Sequence, residues 1–201
     1  MVDFFVQGGG FMWPILIALL FGLAVIGERA YSLLNSSSNT DQFFEDVKTA
    51  YDDSGKEQAI EICENTSGPV ASIFYAGLSK MGNAKEEIEK AVQNAGGLEM
   101  AFLEKNMIWI NSVITIAPML GFTGTVVGMI KAFEDIKMAN DISPAVVAGG
   151  ISQALLTTAF GLIVAMIMQV AQNFFVSMID KLILDMEEQS IKIVEYLHNS
   201  K

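Results

Sequence analysis

The chain has 201 residues, of which 52% are hydrophobic and 17% charged, and its formal net charge is −11. A soluble domain normally carries about 25% charged residues, so this composition favours a membrane protein. The acidic balance argues against nucleic-acid binding, which needs a basic surface. The single cysteine, Cys63, excludes an internal disulfide and a cysteine-based metal cluster within one chain.

The first predicted membrane helix is the uncharged run of residues 11–27, which ends at Glu28 and Arg29. A cleaved secretory signal needs basic residues before the apolar run, and only Asp3 precedes it, so we expect no cleavage. We therefore predict an outside N-terminus and a first transmembrane helix over residues 1–34. Glu28 and Arg29 would be membrane-edge charges. Glu28 would either pair with a basic group such as Arg29 or lie near the lipid headgroups.

Residues 35–105 are more polar, and we predict that they form a cytoplasmic helical domain. Apolar residues recur at helical spacing over residues 41–53 and 57–64. Gly68-Pro69 is typical of a helix start, because proline is tolerated in the first turn. From Ala84 we expect a long helix that runs into the second membrane segment, with Gly96-Gly97 as its weakest point.

Two further uncharged runs cover residues 106–130 and 142–179. As helices they would be about 37 and 57 Å long, whereas a hydrocarbon core is about 30 Å thick. The third helix must therefore tilt, break or project into water, and we predict projection because its later part is more polar. We accordingly predict transmembrane helix 2 at 106–138, an outside turn at 139–143, transmembrane helix 3 with a cytoplasmic extension at 144–179, and a cytoplasmic amphipathic tail at 180–201. The tail would lie on the membrane or pack on its neighbours.

The distribution of basic residues predicts the orientation. Ten Lys and Arg residues lie in the middle domain, at its edge and in the tail, against only Lys131 and Lys137 near the second turn. The positive-inside rule places the middle domain and tail in the cytoplasm and the N-terminus outside. The sequence thus predicts an all-α integral membrane protein with three transmembrane helices and long cytoplasmic helical extensions.

The second and third membrane helices each carry a stripe of small and polar residues in steps of three or four. The stripes are Pro118, Gly121, Thr125, Gly128 and Ala132, and Ala154, Thr158, Gly161, Ala165 and Gln169. We predict close helix packing at four glycines: Gly121, Gly124, Gly128 and Gly161. The threonines would either bond their own backbone carbonyls or face a polar pore and bond a partner or water.

Ionisable residues are missing from the two longer uncharged runs, although intramembrane proton relays normally use them. If protons cross here, a different chain must bring the acid. We predict no enzyme and no cofactor, because the sequence has no nucleophile–base set, metal-ligand cluster or phosphate-binding loop. A solute transporter is also disfavoured, since three helices without an inverted repeat offer no midplane site. A structural scaffold that assembles partner helices without ion conduction is the alternative function.

Three passages of the sequence, residues 14–31, 117–126 and 151–162, resemble the MotA/TolQ/ExbB proton-channel family. Three membrane helices rather than four make the chain more similar to ExbB and TolQ than to MotA. The resemblance implies a pentamer in the bacterial inner membrane whose central pore holds two ExbD- or TolR-like helices, each with one intramembrane aspartate. It also implies that work passes to a TonB- or TolA-like protein.

The resemblance further implies roles for individual residues. Thr125 and Thr158 fall on pore-facing threonine positions, and Pro118 falls on the proline of the same motif. Gln153 stands where ExbB and TolQ typically carry a glutamate. Because an amide cannot titrate, any carboxylate role at that position is absent or moved, although Gln153 can still form hydrogen bonds near the outer mouth.

Overall fold

A computed structural model describes residues 2–36, 39–139 and 144–199, and every regular element in these ranges is an α-helix. The helices are α1 (Val2–Gln7), α2 (Met12–Ser36), α3 (Thr40–Ser54), α4 (Lys56–Asn65), α5 (Pro69–Ser79), α6 (Lys85–Leu103), α7 (Met107–Ala139) and α8 (Pro144–Asn199). Most of the predicted outside turn, residues 140–143, lies outside the described residues. The all-helical prediction is confirmed for the ranges described.

The chain divides into two compact units. The first unit contains Met1–Glu28 and Asn106–Phe174, and the second contains Arg29–Lys105 and Phe175–Lys201. Three helical stretches are long and apolar enough to cross a membrane: Met12–Ser36, Lys85–Met138 and Val147–Asn199. This confirms the prediction of three long apolar helices, while the exact membrane boundaries and the orientation stay predictions.

Large apolar side chains cover the outside of the first unit. Ile17, Phe122 and Val170 are all exposed, and Val170 is 72% exposed. Inside the unit, Gly22 on α2 lies against Met168 and Val113, where a Cβ would approach the Met168 sulfur to 2.5 Å. An apolar exterior of this extent suits hydrocarbon surroundings better than water.

Helix α8 runs unbroken for 56 residues, so the third apolar segment neither breaks nor ends near residue 179. Its last turns contribute buried apolar residues to the second unit: Leu182, Met186, Ile193 and Leu197. Of the two alternatives for the amphipathic tail, the structure shows packing on neighbouring helices. His198 is exposed in the last turn.

The second unit has a core of large apolar side chains. Phe74 of α5 stacks on Phe43 of α3 with ring centroids 5.4 Å apart, and Phe44 meets Phe74 edge-on. The predicted helices at 41–53 and 57–64 correspond to α3 and α4, and Gly55 separates them with a φ of 86°. The start predicted at Gly68-Pro69 is that of α5.

The expected continuous helix from Ala84 into the second membrane segment is wrong. The chain leaves the helix between α6 and α7, after Leu103, and Asn106 has a φ of 66°. Asparagine is one of the few residues that tolerate this left-handed conformation. Gly96 and Gly97, the expected weak point, lie inside α6.

Candidate functional site

The backbones of α7 and α8 approach closely along a line of small residues in the first unit. A Cβ on Gly161 would lie 2.5 Å from the Ala117 carbonyl oxygen, and one on Gly121 would lie 2.9 Å from the Thr157 carbonyl oxygen. Real Cβ contacts essentially never fall below 3.0 Å, so both positions require glycine for this approach. Small residues of this kind let membrane helices pack backbone to backbone.

The same contact extends toward the C-terminal end of α7 and the N-terminal end of α8. A Cβ on Gly124 would lie 2.7 Å from the Thr157 Oγ1, and one on Gly128 would lie 3.3 Å from the Ala154 Cβ. One turn further along, a Cβ on Gly150 would collide with the Ala132 Cβ. We call this contact the α7–α8 seam. It brings together all four glycines for which packing was predicted.

Two hydroxyl groups meet at the middle of the α7–α8 seam. Thr125 Oγ1 and Thr158 Oγ1 are in direct hydrogen-bond contact. Both lie within reach of one acceptor, the Gly121 carbonyl oxygen, at 3.2 Å from Thr125 and 3.1 Å from Thr158. Thr125 Oγ1 is also 3.1 Å from the Ala154 carbonyl oxygen. Since each hydroxyl has one hydrogen to donate, these contacts are alternatives among which the two groups can switch.

The structure shows one of the two predicted arrangements of the threonines, a bond to a backbone carbonyl of the same helix, whereas a pore-facing role stays a prediction. For Thr125, Gly121 lies four residues earlier on its own helix, so that bond is the common back-bond of a membrane threonine. The contact from Thr158 to Gly121 instead crosses between helices. Both side chains are partly exposed in the single chain, so they can also reach a group outside it.

Thr157 was not among the predicted site residues, yet it is the most buried hydroxyl of the seam, with 1% of its surface exposed. Its Oγ1 donates to the Ala154 carbonyl at 2.7 Å and lies 3.3 Å from the Gly121 carbonyl. The signal that could have found it is the side-by-side Thr157-Thr158 pair, since neighbouring residues on a helix point about 100° apart. One of the two can then face the seam while the other lies at its edge.

Pro118 lies inside α7 and is half-buried. Proline has no N–H to donate to the carbonyl one turn earlier, that of Ile114, so that acceptor is released from the helix ladder. The helix nevertheless continues to Ala139. Pro118 follows Ala117, whose carbonyl group is the closest backbone contact of Gly161.

The structure places Gln153 away from the threonine pair. Its side-chain amide lies against Gly9, which has a φ of 73° and is in the turn between α1 and α2. A side chain at position 9 would collide with the Gln153 amide. Gln153 is therefore in contact with the N-terminal turn of the first unit.

Glu28 and Arg29, the predicted membrane-edge charges, differ in their surroundings. Arg29 is only 1% exposed in the second unit, where its Nη1 donates to the Phe102 carbonyl at 3.5 Å. Glu28 is exposed in the first unit, and its Oε2 accepts a hydrogen bond of 3.2 Å from Asn106 Nδ2. No local sequence pattern indicated the burial of Arg29, because its carbonyl partner lies 73 residues away.

The chemistry available at the threonine pair is hydrogen bonding without titration. Residues 106–130 and 142–179 contain no Asp, Glu, Lys, Arg or His. Threonine hydroxyls can donate to a carboxylate and accept from a carboxylic acid, but they do not carry the charge themselves. The arrangement can therefore form hydrogen bonds with both the ionised and the protonated state of an acid, if another chain supplies one.

Comparison with known proteins agrees with this description. The sequence model of the MotA/TolQ/ExbB proton channel family matches residues 65–188, which is more than half of the chain and includes the threonine pair. The chain belongs to this family. The members of this family are non-enzymatic transport components. The chain is a multi-pass membrane protein with three candidate spans.

Individual relatives of the chain include proteins named ExbB and a protein named TolQ. The chain is 28% identical to the ExbB-like 3 biopolymer transport protein of Synechocystis sp. over 92% of this chain and 90% of that protein. It is 26% identical to the biopolymer transport protein exbB1 of Vibrio cholerae over 79% of this chain and 72% of the relative. With the Tol-Pal system protein TolQ of Pseudomonas aeruginosa it shares 28% identity over 53% of this chain, and it spans about half of that protein, 51%.

Proposed function

We propose that the chain is an ExbB/TolQ-like subunit of a motor driven by the proton-motive force, in which five copies enclose a pore around ExbD- or TolR-like helices. One observation carries the proposal. The Thr125–Thr158 hydroxyl pair lies in a tightly packed seam between two helices whose uncharged runs have no titratable side chain. Such a site needs a mobile acid from another chain, and a single-helix partner with an intramembrane aspartate supplies one.

The physical mechanism follows from the changing charge of that aspartate. When ionised, it accepts hydrogen bonds from the Thr125 and Thr158 hydroxyls, and when protonated it donates to the same oxygens. Each charge that crosses the membrane releases about 2.3 kcal/mol per 100 mV of membrane potential. Neutralisation in a dry surrounding changes which subunit the aspartate prefers, and this changing preference would drive a rotational step.

The setting of the motor is part of the proposal. The excess of Lys and Arg in the second unit and tail supports a cytoplasmic C-terminus and a periplasmic N-terminus in a bacterial inner membrane. A TonB- or TolA-like protein would receive the mechanical work and serve outer-membrane transport or envelope maintenance. Gln153, beside the N-terminal turn, would supply hydrogen bonds near the outer mouth without titrating.

The test starts from tagged protein purified from its native membranes with whatever chains accompany it. We expect a co-purifying protein with one membrane helix that contains an aspartate. We also expect H⁺ uptake when the complex is reconstituted in vesicles and a potassium–valinomycin potential is imposed. Thr158→Val keeps the side-chain shape but removes the hydroxyl, so it should abolish most of this uptake. Unaltered uptake by Thr158→Val would remove the threonine pair from the mechanism.

A structural scaffold that holds partner helices without conducting ions is the second candidate. The observation that favours it is that both hydroxyls already bond groups within one chain, Gly121 and Ala154 among them. A scaffold predicts stable co-purification with partners but no H⁺ uptake above that of protein-free vesicles. It also predicts that Thr158→Val weakens assembly instead of transport.

A further inference from the structure

Helix α8 carries a second polar cluster in the first unit, separate from the threonine pair. The ten residues 159–168 have apolar side chains or none, and then three amides follow within five residues: Gln169, Gln172 and Asn173. Gln169 Nε2 donates to Asn173 Oδ1 at 2.9 Å, and both side chains are exposed. The Gln172 Oε1 is buried and has no hydrogen-bond partner within the described part of the chain.

The amide cluster lies on the same side of α8 as Thr158. Gln169 follows Thr158 by eleven residues, which is three turns plus about 20°, and lies about 16 Å further along the axis. Gln172 and Asn173 fall on either side of the same line, about 40° and 60° from Thr158. A pathway that passes Thr158 and follows this side of the helix therefore reaches the amide cluster next.

Among the residues that the structure describes, the hydrogen-bonding capacity of the cluster is only partly used. Each amide has two N–H donors and one carbonyl oxygen with two lone pairs. The bond between Gln169 and Asn173 uses one donor of Gln169 and part of one acceptor of Asn173. A buried amide oxygen such as that of Gln172 normally finds a protein or water partner.

We propose that Gln169, Gln172 and Asn173 form an amide-lined exit for protons. The amides would solvate a hydrated proton after it has passed the Thr125–Thr158 pair. This inference rests on the proposed function, since it assigns the inner end of the same pathway. The amides do not take up the ion, because they do not titrate. They replace part of its hydration where α8 changes from apolar to polar, and five copies would place fifteen amides around the exit.

A flux measurement tests the exit directly. The complex purified from native membranes is reconstituted with a pH-sensitive dye inside the vesicles, and H⁺ uptake is driven by a potassium–valinomycin potential. The double variant Gln169→Leu with Asn173→Leu extends the apolar lining, and such linings close pores by dewetting, so uptake should fall about tenfold. Exchanging the two amides, Gln169→Asn with Asn173→Gln, should preserve it. Val170→Leu is the matched control, because Val170 is exposed on the next position but points about 100° away.

Cysteine modification gives a second measurement that does not depend on tolerance of leucine. The chain has one cysteine, so Cys63→Ala provides a background without thiols in this subunit. In that background, a water-soluble thiosulfonate reagent should reduce uptake by Gln169→Cys and Asn173→Cys complexes, and should leave Val170→Cys unaffected. A site that merely lies among lipid headgroups would be modified without any loss of uptake, which would overturn the inference.

The outcomes separate this inference from the proposed function. If the unmodified complex takes up no more H⁺ than protein-free vesicles, the proposed function fails and the exit fails with it. If the complex conducts and Thr158→Val stops uptake, but the double leucine variant conducts as well as the wild type, only the exit is wrong. Native mass spectrometry establishes that each variant keeps the subunit composition of the wild type. If the leucine variant does not assemble, the cysteine result decides.

Discussion

The α7–α8 seam and the core of the second unit are held together by opposite kinds of side chain. The seam buries small residues such as Ala117, Ala154 and Gly161, with Thr157 as its most buried polar residue. The core of the second unit buries Phe74 and other large apolar groups. The difference reflects the solvent that each predicted region meets. Water drives large apolar groups together, whereas lipid does not, so helices in lipid gain most from close backbone approach and shared hydrogen bonds.

The largest effect on stability should come from the core of the second unit. Phe74→Ala removes a fully buried ring that contacts both Phe43 and Phe44. Replacing a buried phenylalanine by alanine typically costs 3–5 kcal/mol, so we expect a loss of about 4 kcal/mol. Native-state proteolysis with trypsin in detergent measures it, because ten of the twelve Lys and Arg residues lie in the second unit. Leu184→Ala, at an exposed position of α8, is the control, and equal protection of both variants would show that the ring contributes little.

The seam should be destabilised when a methyl group is added, whereas the core of the second unit is destabilised when a large side chain is removed. Gly161→Ala places a methyl group 2.5 Å from the Ala117 carbonyl, so α7 and α8 must separate. Overpacking of this kind costs about 1–3 kcal/mol. Gly149→Ala on the same helix is the matched control, since a Cβ there meets nothing within 4 Å. It should stabilise the helix by up to about 1 kcal/mol. The midpoint temperature of thermal aggregation in detergent measures the effect of both substitutions. If Gly161→Ala and Gly149→Ala shift this midpoint in the same direction, the contrast between seam and core fails.

A surface charge cluster in the second unit should give a smaller, pH-dependent effect. Asp41 of α3 accepts bonds of 2.8 Å from Lys192 and from Gln189, and Lys192 also meets Glu188 at 2.8 Å. The hydrogen bond from Lys192, supported by Gln189, lowers the pKa of Asp41 below its ordinary value of 3.8. The hydrogen bonds to Asp41 and Glu188 raise the pKa of Lys192 above 10.5.

The signs of these two shifts define the pH window. A lowered carboxyl pKa stabilises the fold above pH 3.8 and is lost as the pH falls through the folded value, while a raised lysine pKa stabilises below pH 10.5 and is lost at higher pH. Asp41→Asn should therefore reduce stability across this window and flatten its loss in acid. Melting followed by circular dichroism from pH 3 to 11 checks it, and Asp53→Asn, an exposed carboxylate of the same helix, is the control. Exposed ion pairs usually contribute little to stability. If the curves of melting temperature against pH are parallel for Asp41→Asn and the wild type, the two pKa shifts do not contribute to stability.

The seam and the core also differ in how far sequence alone predicts them. Steps of three and four residues were sufficient to place Thr125 and Thr158 on the small-residue faces of their helices, because helix geometry fixes those faces. They were not sufficient to show that both reach the Gly121 carbonyl, since that depends on how far one helix slides along the other. Only the three-dimensional contact of Gly161 with Ala117 sets this register.

In the second unit the helix bounds were predictable, but the connections that close it were not. Gly55 and Gly68-Pro69 punctuate the sequence, so α3, α4 and α5 began close to their predicted positions. The break after Leu103 was missed because the residues around it favour helix, and its Asn106 conformation has no local signal of comparable strength. The bond from Gln189 to Asp41 joins residues 148 positions apart, beyond the reach of any periodicity.

The last prediction concerns the labelling rate of Cys63 and not stability, and it tests whether the core of the second unit excludes water. Burial raises the pKa of the Cys63 thiol to about 12, with Glu64 nearby as a second cause. At pH 8 the folded chain then has far less thiolate than an exposed cysteine, and only the thiolate reacts. We expect a thiol reagent to label the native chain at least about a hundredfold more slowly than the denatured chain, because labelling must await local opening. Ser54→Cys adds an exposed thiol at the end of α3 as an internal standard, and Phe74→Ala should speed the labelling of Cys63. Equal labelling of Cys63 and of the added thiol in the native chain would show that the core admits water and reagent, and the contrast with the seam would then no longer rest on exclusion of solvent.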